Sequence, residues 1–265
     1  MQGHNVVNLK EKETEAGIML DLHRHDECSF FDGFGKPLEL VKIAKDLGHT
    51  SIGISNHGNI DSAVEHWLAC RHMGLKPILG IEVYFQPKFN TEKPKYHLCL
   101  FAKDLEGYRN LNRIIYLSNK NYFYYKPTVT FELLEKYHKG IICTSACIGG
   151  IIQHFLAKGK IARATRLAER FQNIFEDDYY LEIQPYTLTD EDTELQERAN
   201  FLTMELGKEL DIECILTSDS HFGSKEDFDT YLKLHAIGKH EELGKQYSER
   251  YIPSEKELRN RFIEM

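Results

Sequence analysis

The sequence SIGISNHGNIDSAVEHWLACRHMGLKPILGIEVYF spans residues 51–85 and contains two kinds of local pattern. Its ends, Ser51–Asn56 and Ile78–Phe85, are short runs rich in β-branched and aromatic residues, which favours strands over fragments of buried helix. Between them, Asp61–His72 has helical spacing, and Asp61 can cap the start of that helix. A strand, a helix and a second strand in succession predict a βαβ unit with parallel strands.

The same alternation continues on both sides of this stretch. Further strand-like runs are Ile18–His23, Tyr96–Ala102, Gly140–Thr144, Tyr179–Gln184 and Glu213–Ser218. Further stretches of helical spacing are Pro37–Leu47, Leu105–Asn119, Phe131–His138, Ile161–Phe175, Asp190–Leu210 and Asp227–Ile237. One connection, Gln86–Lys95, is too short and too rich in proline and lysine for a crossover helix. The pattern predicts an α/β protein with a largely parallel sheet, either closed like a barrel or open and doubly wound.

The composition is that of an ordinary globular protein, since 42% of the 265 residues are hydrophobic and 28% are charged. This length suits one α/β barrel of about 250 residues. No apolar run reaches the roughly 18 residues of a membrane span, and residues 1–17 lack the apolar stretch of a signal peptide. We therefore expect a cytoplasmic location, with residues 1–17 as a flexible extension. The six cysteines form no CxxC pair, which is typical of reduced thiols.

The net charge of −8 argues against a nucleic-acid partner, because duplex-binding proteins usually present a basic face. This argument is weak for a protein that binds metals. Divalent ions are often the largest local charges in a site and can reverse its sign.

Side chains suited to metal binding occur at the ends of the predicted strands, where α/β proteins place their active sites. His23 and His25 follow the first strand two residues apart, so both imidazoles can project to one face and converge on an ion. Asp32 comes shortly after. Taken alone, such histidines can be surface or core residues, and Asp32 before Gly33 can be a turn former. Arg24 either contacts a phosphate or points away as the intervening strand residue, and we favour the second interpretation.

The remaining candidates each have an ordinary alternative as well. His57 lies in the loop after the second strand, and Glu82 and His97 lie inside apolar strands. Cys147 lies near the start of a helix, and Asp219 and His221 follow the last strand. Alone, these are typical of loops, solvated or paired carboxylates, core histidines and small buried thiols. A helix start would favour a thiolate at Cys147. Their joint placement at strand ends predicts a multinuclear metal site.

Together, these motifs resemble the PHP (polymerase and histidinol phosphatase) domain at the amino terminus of bacterial DNA polymerase III alpha subunits. The resemblance extends from about Leu20 to Gly238. Its blocks are Leu22–His25, Ser29–Gly33, His57–Asn59, Pro77–Tyr84, Glu106–Leu111, Tyr124–Pro127, Ser145–Gly150 and Asp219–Phe222, with a weaker match at Tyr251–Ser254. It implies a distorted seven-stranded (β/α) barrel, TIM-like and of PHP fold, over residues 18–237. Residues 238–265 would then be a linker-like tail towards an absent polymerase region.

The resemblance also implies nine metal ligands and about three divalent ions, which we expect to be zinc, manganese or iron. The first ion would be held by His23, His25, Glu82 and Asp219, the second by Glu82 with His97 and Cys147, and the third by Asp32, His57 and His221. Asn56 stands where the family usually has aspartate, and we expect it to support the ligands from behind.

The function implied is that of a metal-dependent phosphodiesterase, most specifically a 3′→5′ DNA exonuclease of proofreading type within a replicative polymerase. A hydroxide held by the metal ligands would attack the phosphorus, so no separate protein nucleophile is needed. Two alternatives stay open: a small-molecule phosphatase of the histidinol phosphatase type, and a non-catalytic module that stabilises or docks a polymerase.

The expected substrate is a single-stranded DNA 3′ end, and the expected partners are a polymerase core or other replication proteins. The aromatic run Tyr122–Tyr125 could stack bases, although burial under a loop is the other interpretation. The candidate substrate contacts are Arg24, Arg109, Tyr124, Tyr125 and Lys126.

Overall fold

A curled sheet of seven paired strands forms the centre of the protein. The computed structural model describes residues 20–186, 191–239 and 248–265. The order across the sheet is β1 (Leu20–Asp21), β2 (Ser51–Ile54), β3 (Lys76–Phe85), β4 (Tyr96–Ala102), β7 (Ile141–Thr144), β8 (Tyr179–Ile183) and β9 (Cys214–Leu216). The two remaining strands, β5 (Phe123–Tyr124) and β6 (Lys126–Pro127), form a separate hairpin.

Neighbouring strands of the sheet are parallel except at β4, which is antiparallel to both β3 and β7. The short connection Gln86–Lys95 explains this exception, because a parallel crossover needs a dozen or more residues. As a result, the first residues of β4 lie at the same end of the sheet as the carboxyl ends of the parallel strands. His97 therefore joins the residues that follow β2, β7 and β9.

The two edges of the sheet approach each other just beyond β1 and β9. A parallel bridge joins Arg24 to Ser220, and the His25 amide donates to the Ser220 carbonyl at 2.8 Å. The α/β class and the barrel-like curl expected from the sequence are confirmed.

The helices cover the outside of the sheet. They are α1 (Pro37–Asp46), α2 (Ala63–Met73), α3 (Leu105–Asn121), α4 (Phe131–Tyr137), α5 (Ile151–Ala157), α6 (Ile161–Phe175), α7 (Glu191–Leu210), α8 (Phe228–Lys239) and α9 (Glu255–Glu264). The largest core lies between sheet and helices and includes Phe85, Leu100, Ile114 and Phe171. Among the described residues, no helix has the length and apolar character needed to cross a membrane.

Some local predictions were wrong. Asp61 does not cap α2, because the helix begins at Ala63 and Ser62 is its N-cap residue. Helices α5 and α9 and the β5–β6 hairpin were not predicted, since α5 has only seven residues and α9 is strongly charged. All six cysteines are free thiols, as expected.

Residues 248–265 pack on the domain, whereas the resemblance implied a linker-like tail. Tyr251 and Ile252 are 6% and 2% exposed, and Ile252 joins the core between α1 and α2. Helix α9 buries Leu258 and Arg261, whereas its Lys256 and Glu264 are exposed. The expected extension 1–17 and residues 240–247 of the tail lie outside the described part of the chain.

Candidate metal centre

The nine expected ligands lie together in one cluster. Each has a nitrogen, oxygen or sulfur atom within 3.9 Å of such an atom in another member. The most exposed side chains are those of His97, Asp32 and His57, at 28%, 18% and 11%. These three residues therefore mark the side on which the cluster opens to solvent.

Glu82 occupies the middle of the cluster and is only 1% exposed. Its carboxylate lies 2.8 Å from Nδ1 of His57 and 2.9 Å from Nδ1 of His97. Nε2 of His23 and Nε2 of His25 are each 3.4 Å away. An isolated buried carboxylate is costly. The surrounding imidazoles outweigh burial and hold the pKa of Glu82 well below its ordinary value.

Asp219 faces two directions with its two oxygens. Oδ1 lies 3.1 Å from Nε2 of His23 and 3.4 Å from Nε2 of His25, whereas Oδ2 lies 3.4 Å from Nη1 of Arg250. Burial raises the pKa of Asp219, but Arg250 and His23 outweigh it and keep the pKa below its ordinary value. Asp219 is therefore held as a carboxylate.

The strand-like alternation after β1 explains how two histidines enter the cluster while Arg24 does not. Arg24 is fully buried; its Nε donates to the Gly53 carbonyl at 3.0 Å, and its Nη2 lies 3.0 Å from Nδ1 of His66. It points away from the cluster, as favoured above. The alternative hypothesis that Arg24 contacts substrate is wrong, because its guanidinium is enclosed between β2 and α2.

Several loops around the cluster contain a residue in the left-handed backbone conformation. Phe31 (φ 60°), Ala146 (φ 60°) and Asp219 (φ 47°) adopt this conformation although they are not glycines. Phe31 and Ala146 directly precede Asp32 and Cys147. Such conformations are uncommon and cost free energy, so they indicate that the surrounding structure holds these loops in one shape.

Cys147 differs from its expected state. Burial and the nearby carboxylates of Glu82 and Asp219 raise its pKa well above the ordinary value, and this outweighs any effect of the short helix α5. Its Sγ lies 3.4 Å from Nδ1 of His97 and 3.7 Å from Glu82. A Cβ on Gly149 would lie 3.1 Å from Nδ1 of His97 and 3.4 Å from this sulfur, so glycine preserves the space between them. A thiolate here requires a cation beside it.

The donor atoms suit divalent cations. Several are buried and have no hydrogen-bond partner among the described residues, namely Nε2 of His25, Nδ1 of His57, Oε2 of Glu82 and both carboxylate oxygens of Asp219. Three sets of ligand atoms within the cluster lie close enough to share an ion: His23, His25 and Asp219; His57, Glu82 and His97; and His25, His57 and His221. Imidazole, carboxylate and thiolate together are ligands typical of zinc, manganese and iron sites.

Glu182 on β8 supports the cluster from inside the sheet and was missed from the sequence. Oε2 of Glu182 lies 2.8 Å from Nδ1 of His23, and Thr217 donates to the same carboxylate at 2.6 Å. Thr144 donates to its other oxygen. Burial raises the pKa of Glu182, but His23 lowers it below the ordinary value. A signal existed, since Glu182 interrupts an apolar strand as Glu82 does.

Asn56 lies behind one of the cluster histidines. Its Oδ1 accepts from the Ser29 hydroxyl at 2.8 Å, and that hydroxyl lies 2.8 Å from Nδ1 of His25. Its Nδ2 donates to Asp26 at 2.7 Å and to the Ser62 hydroxyl at 2.8 Å. One hydroxyl therefore separates Asn56 from a cluster histidine.

Two further residues contact the cluster and carried no signal in the sequence. Nε2 of His235, buried on α8, lies 3.2 Å from Oδ1 of Asp32. Arg250, from the terminal segment, reaches Asp219. Both contacts depend on how distant parts of the chain pack, so no local pattern reveals them.

The expected substrate contacts separate into two places. Arg109 lies in the first turns of α3, whose Gly107 packs against Gly140 at the start of β7, and so at the opposite end of the sheet from the cluster. Arg109 is exposed there, so a contact between Arg109 and substrate stays a prediction that would have to involve a part of the substrate away from the cluster. The β5–β6 hairpin lies at the cluster end, because Nζ of Lys126 is 4.2 Å from the ring centre of Tyr84.

The aromatic residues of this hairpin are not buried under a loop. Tyr124 is 42% exposed and Tyr125, at the left-handed tip, is 83% exposed. The Tyr84 ring beneath Lys126 stacks on His57 with centres 5.9 Å apart and meets His97 edge-on at 5.8 Å. The hairpin therefore adjoins the exposed side of the cluster.

Comparison with known proteins gives a consistent picture. Residues 21–186 match the family model described as PHP domain. The chain is 36% identical over 228 residues to the DNA polymerase III subunit alpha of Aquifex aeolicus, which covers 82% of this chain and 19% of that protein. It is 33% identical over 252 residues to that of Borreliella burgdorferi, covering 90% and 22%. The chain thus spans about a fifth of the length of these relatives.

The fold is similar to that of a solved amidohydrolase from Chromobacterium violaceum. The two share 14% sequence identity with a TM-score of 0.52, over 91% of this chain and 96% of that one. At this identity the likeness concerns the fold alone.

Proposed function

The chain belongs to the PHP domain family, and from that premise and the geometry of the cluster we propose that it is a metal-dependent phosphoesterase. The observation that carries the proposal is the group of closely spaced imidazole and carboxylate atoms at one end of the curled sheet, several of which are buried without a hydrogen bond of good geometry among the described residues. Burying such atoms without partners is costly, and divalent cations would satisfy them.

We assign the residues to three ions within a closed, distorted seven-stranded barrel. His23, His25, Glu82 and Asp219 would hold one ion; Glu82, His97 and Cys147 a second; Asp32, His57 and His221 a third. Zinc, manganese and iron suit this set. Four anionic ligands against three divalent ions leave the site positive by about two charges, so an acidic chain can attract a phosphate there.

When bound, divalent ions supply a water of lowered pKa and neutralise charge on phosphoryl oxygens. The chain's own residues then have three tasks. Asp219 and Glu82, both kept ionised, would bind the divalent cations at the reaction centre. Glu182 and Ser29 fix the orientation of His23 and His25, because their oxygens accept hydrogen bonds from the Nδ1 atoms of these imidazoles. No protein nucleophile is required.

The substrate we propose is a single-stranded DNA 3′ end, cleaved as in 3′→5′ proofreading beside a polymerase in the cytoplasm. The exposed Tyr124 and Tyr125 next to the cluster support this choice, because bases stack on exposed aromatic rings. Lys126 places a positive charge at the same edge. A small-molecule phosphatase has no need of such a hairpin, and a purely docking module has no need of the ligand set.

The test compares hydrolysis of a single-stranded oligonucleotide with that of p-nitrophenyl phosphate, alongside metal analysis of the protein as purified. We expect bound metal and cleavage of the oligonucleotide from its 3′ end. His25→Ala and Asp219→Ala should lose both, while His72→Ala and Asp46→Ala, at exposed positions on α2 and α1, should keep both. Tyr125→Ser should weaken cleavage of the oligonucleotide alone.

Each contrary result selects an alternative. Cleavage of the small ester alone indicates a small-molecule phosphatase, and metal without hydrolysis of either substrate indicates a docking module. Full activity in His25→Ala and Asp219→Ala would refute the site.

A further inference from the structure

Arg250 is held beside the cluster by the backbone of the terminal segment. Its carbonyl accepts from the amide of His221 at 2.6 Å and from that of Phe222 at 3.3 Å. Phe222 also bridges to Tyr251, and the Ile252 amide donates to Gly223 at 3.3 Å. The terminal segment therefore pairs with the loop after β9, and this pairing fixes the backbone from which Arg250 projects.

The guanidinium of Arg250 contacts the cluster and keeps some exposure to solvent. Nη1 lies 3.4 Å from Oδ2 of Asp219, and the side chain is 17% exposed whereas that of Asp219 is 2% exposed. Because Oδ1 of Asp219 faces the two histidines, Arg250 lies on the opposite side of the carboxylate from His23 and His25. The guanidinium also lies near the ring of Tyr186, 5.8 Å from its centre.

Besides Asp219, the positive charge of Arg250 acts on two other cluster residues. Burial still holds the pKa of Cys147 well above its ordinary value, and burial is the larger cause of the lowered pKa of His221. The partly exposed side chain of Arg250 can be reached by a ligand from solvent. A planar guanidinium can donate two parallel hydrogen bonds to a phosphoryl group, which a lysine cannot.

Neither arginine expected from the sequence can take this role. Arg24 is fully buried behind the strand, and Arg109 lies at the other end of the sheet. Arg250 alone of these three reaches a cluster residue.

We infer that Arg250 binds the phosphoryl group of the substrate. This assignment rests on the proposed function and adds a positively charged side chain to the metal ions of the site. Its guanidinium holds two phosphoryl oxygens in position next to Asp219 and neutralises part of the negative charge that develops on them. The terminal segment is thus part of the substrate site.

The experiment measures binding of inorganic phosphate by isothermal titration, together with metal content and oligonucleotide cleavage. The variants are Arg250→Gln, which removes the charge, and Arg250→Lys, which keeps the charge without the planar fork. Arg259→Gln is the matched control, because Arg259 lies in the same segment and pairs with Glu255 on the surface. Circular dichroism verifies folding, and Arg250→Lys decides the question if Arg250→Gln does not fold.

We expect the phosphate dissociation constant to rise about 10- to 100-fold in Arg250→Gln and less in Arg250→Lys, as for loss of a charge-assisted contact. Metal content should stay at the wild-type level, and Arg259→Gln should bind phosphate normally. KM for the oligonucleotide should rise in parallel with the phosphate constant.

Three outcomes overturn the assignment: unchanged phosphate affinity in the variants, no phosphate binding by the wild type, or loss of metal in proportion to loss of phosphate. The last would mean that Arg250 acts only through Asp219. Phosphate binding that depends on Arg250 in a wild type that cleaves neither substrate would uphold the assignment and refute the proposed function.

Discussion

The carboxylate of Glu182 lies 2.8 Å from Nδ1 of His23, and Nε2 of the same imidazole lies 3.1 Å from Oδ1 of Asp219. Because a buried carboxylate accepts the Nδ1 proton, the lone pair of Nε2 is directed into the cluster. Glu182 therefore selects the form of His23 that can bind a metal.

Glu182→Gln is predicted to weaken metal binding about 10- to 100-fold, the usual effect of losing a partner behind a ligand. The glutamine amide can donate to Nδ1 and so favour the wrong tautomer. Competition with a chelating dye measures the affinity. Glu213→Gln, an exposed glutamate just before β9, is the control. Equal affinities in a folded Glu182→Gln protein would show that Glu182 is only a core residue.

Asn56→Asp is predicted to destabilise the fold by about 1–3 kcal/mol, because the Asn56 amide that donates to Asp26 would become a second carboxylate facing it. Urea unfolding measures the difference. Adding Asp26→Asn to Asn56→Asp should recover most of the lost stability, because the new amide at position 26 can donate to the new carboxylate at position 56. If the double substitution is no more stable than Asn56→Asp, the pairing does not explain the asparagine.

His235→Phe is predicted to weaken binding of one ion about tenfold, because Asp32 loses the imidazole that lies 3.2 Å from its Oδ1. Phenylalanine keeps the buried volume, so folding should persist. The number of metal ions bound per protein, measured as a function of the free metal concentration, reports the effect. Lys233→Ala, at an exposed position on the same helix, is the control. A full set of ions at wild-type affinity would contradict the role.

His66 is predicted to make the fold acid-sensitive. Burial and the Arg24 guanidinium lower its pKa to about 3. Since the unfolded chain takes up this proton near pH 6.5 and the folded chain does not, its contribution to stability is complete above that pH. It falls with decreasing pH by up to about 1.4 kcal/mol per unit until the folded pKa is reached.

Urea unfolding between roughly pH 7.5 and pH 5 in a chelating buffer measures this slope. His66→Gln should give a shallower slope, because glutamine does not titrate. The same slope in both proteins would assign the acid sensitivity to other groups.

The sequence was sufficient for the α/β class and for the meeting of the nine candidate residues in one place, because both follow from local patterns. Alternating strands and helices require parallel neighbours, and the short Gln86–Lys95 connection requires the one reversal. Residues that end parallel strands must meet at one edge, so His57, Cys147 and Asp219 come together even though many residues separate them.

What the sequence did not provide depends on tertiary pairing. Arg250 reaches Asp219 only because its segment pairs with the loop after β9, and His235 reaches Asp32 only through the packing of α8. Exposure of the hairpin aromatics likewise depends on what packs above them. Glu182 is the exception, because the pattern that singled out Glu82 applied to it equally.

The pairing of residues 250–252 with the loop after β9 has a practical consequence for anyone who trims this protein. An expression boundary drawn near residue 238, where the resemblance to the family ends, would remove both Arg250 and Ile252, which packs between α1 and α2. If such a shortened product bound no phosphate, that failure would reflect the missing terminal segment and would not count against the nine expected ligands.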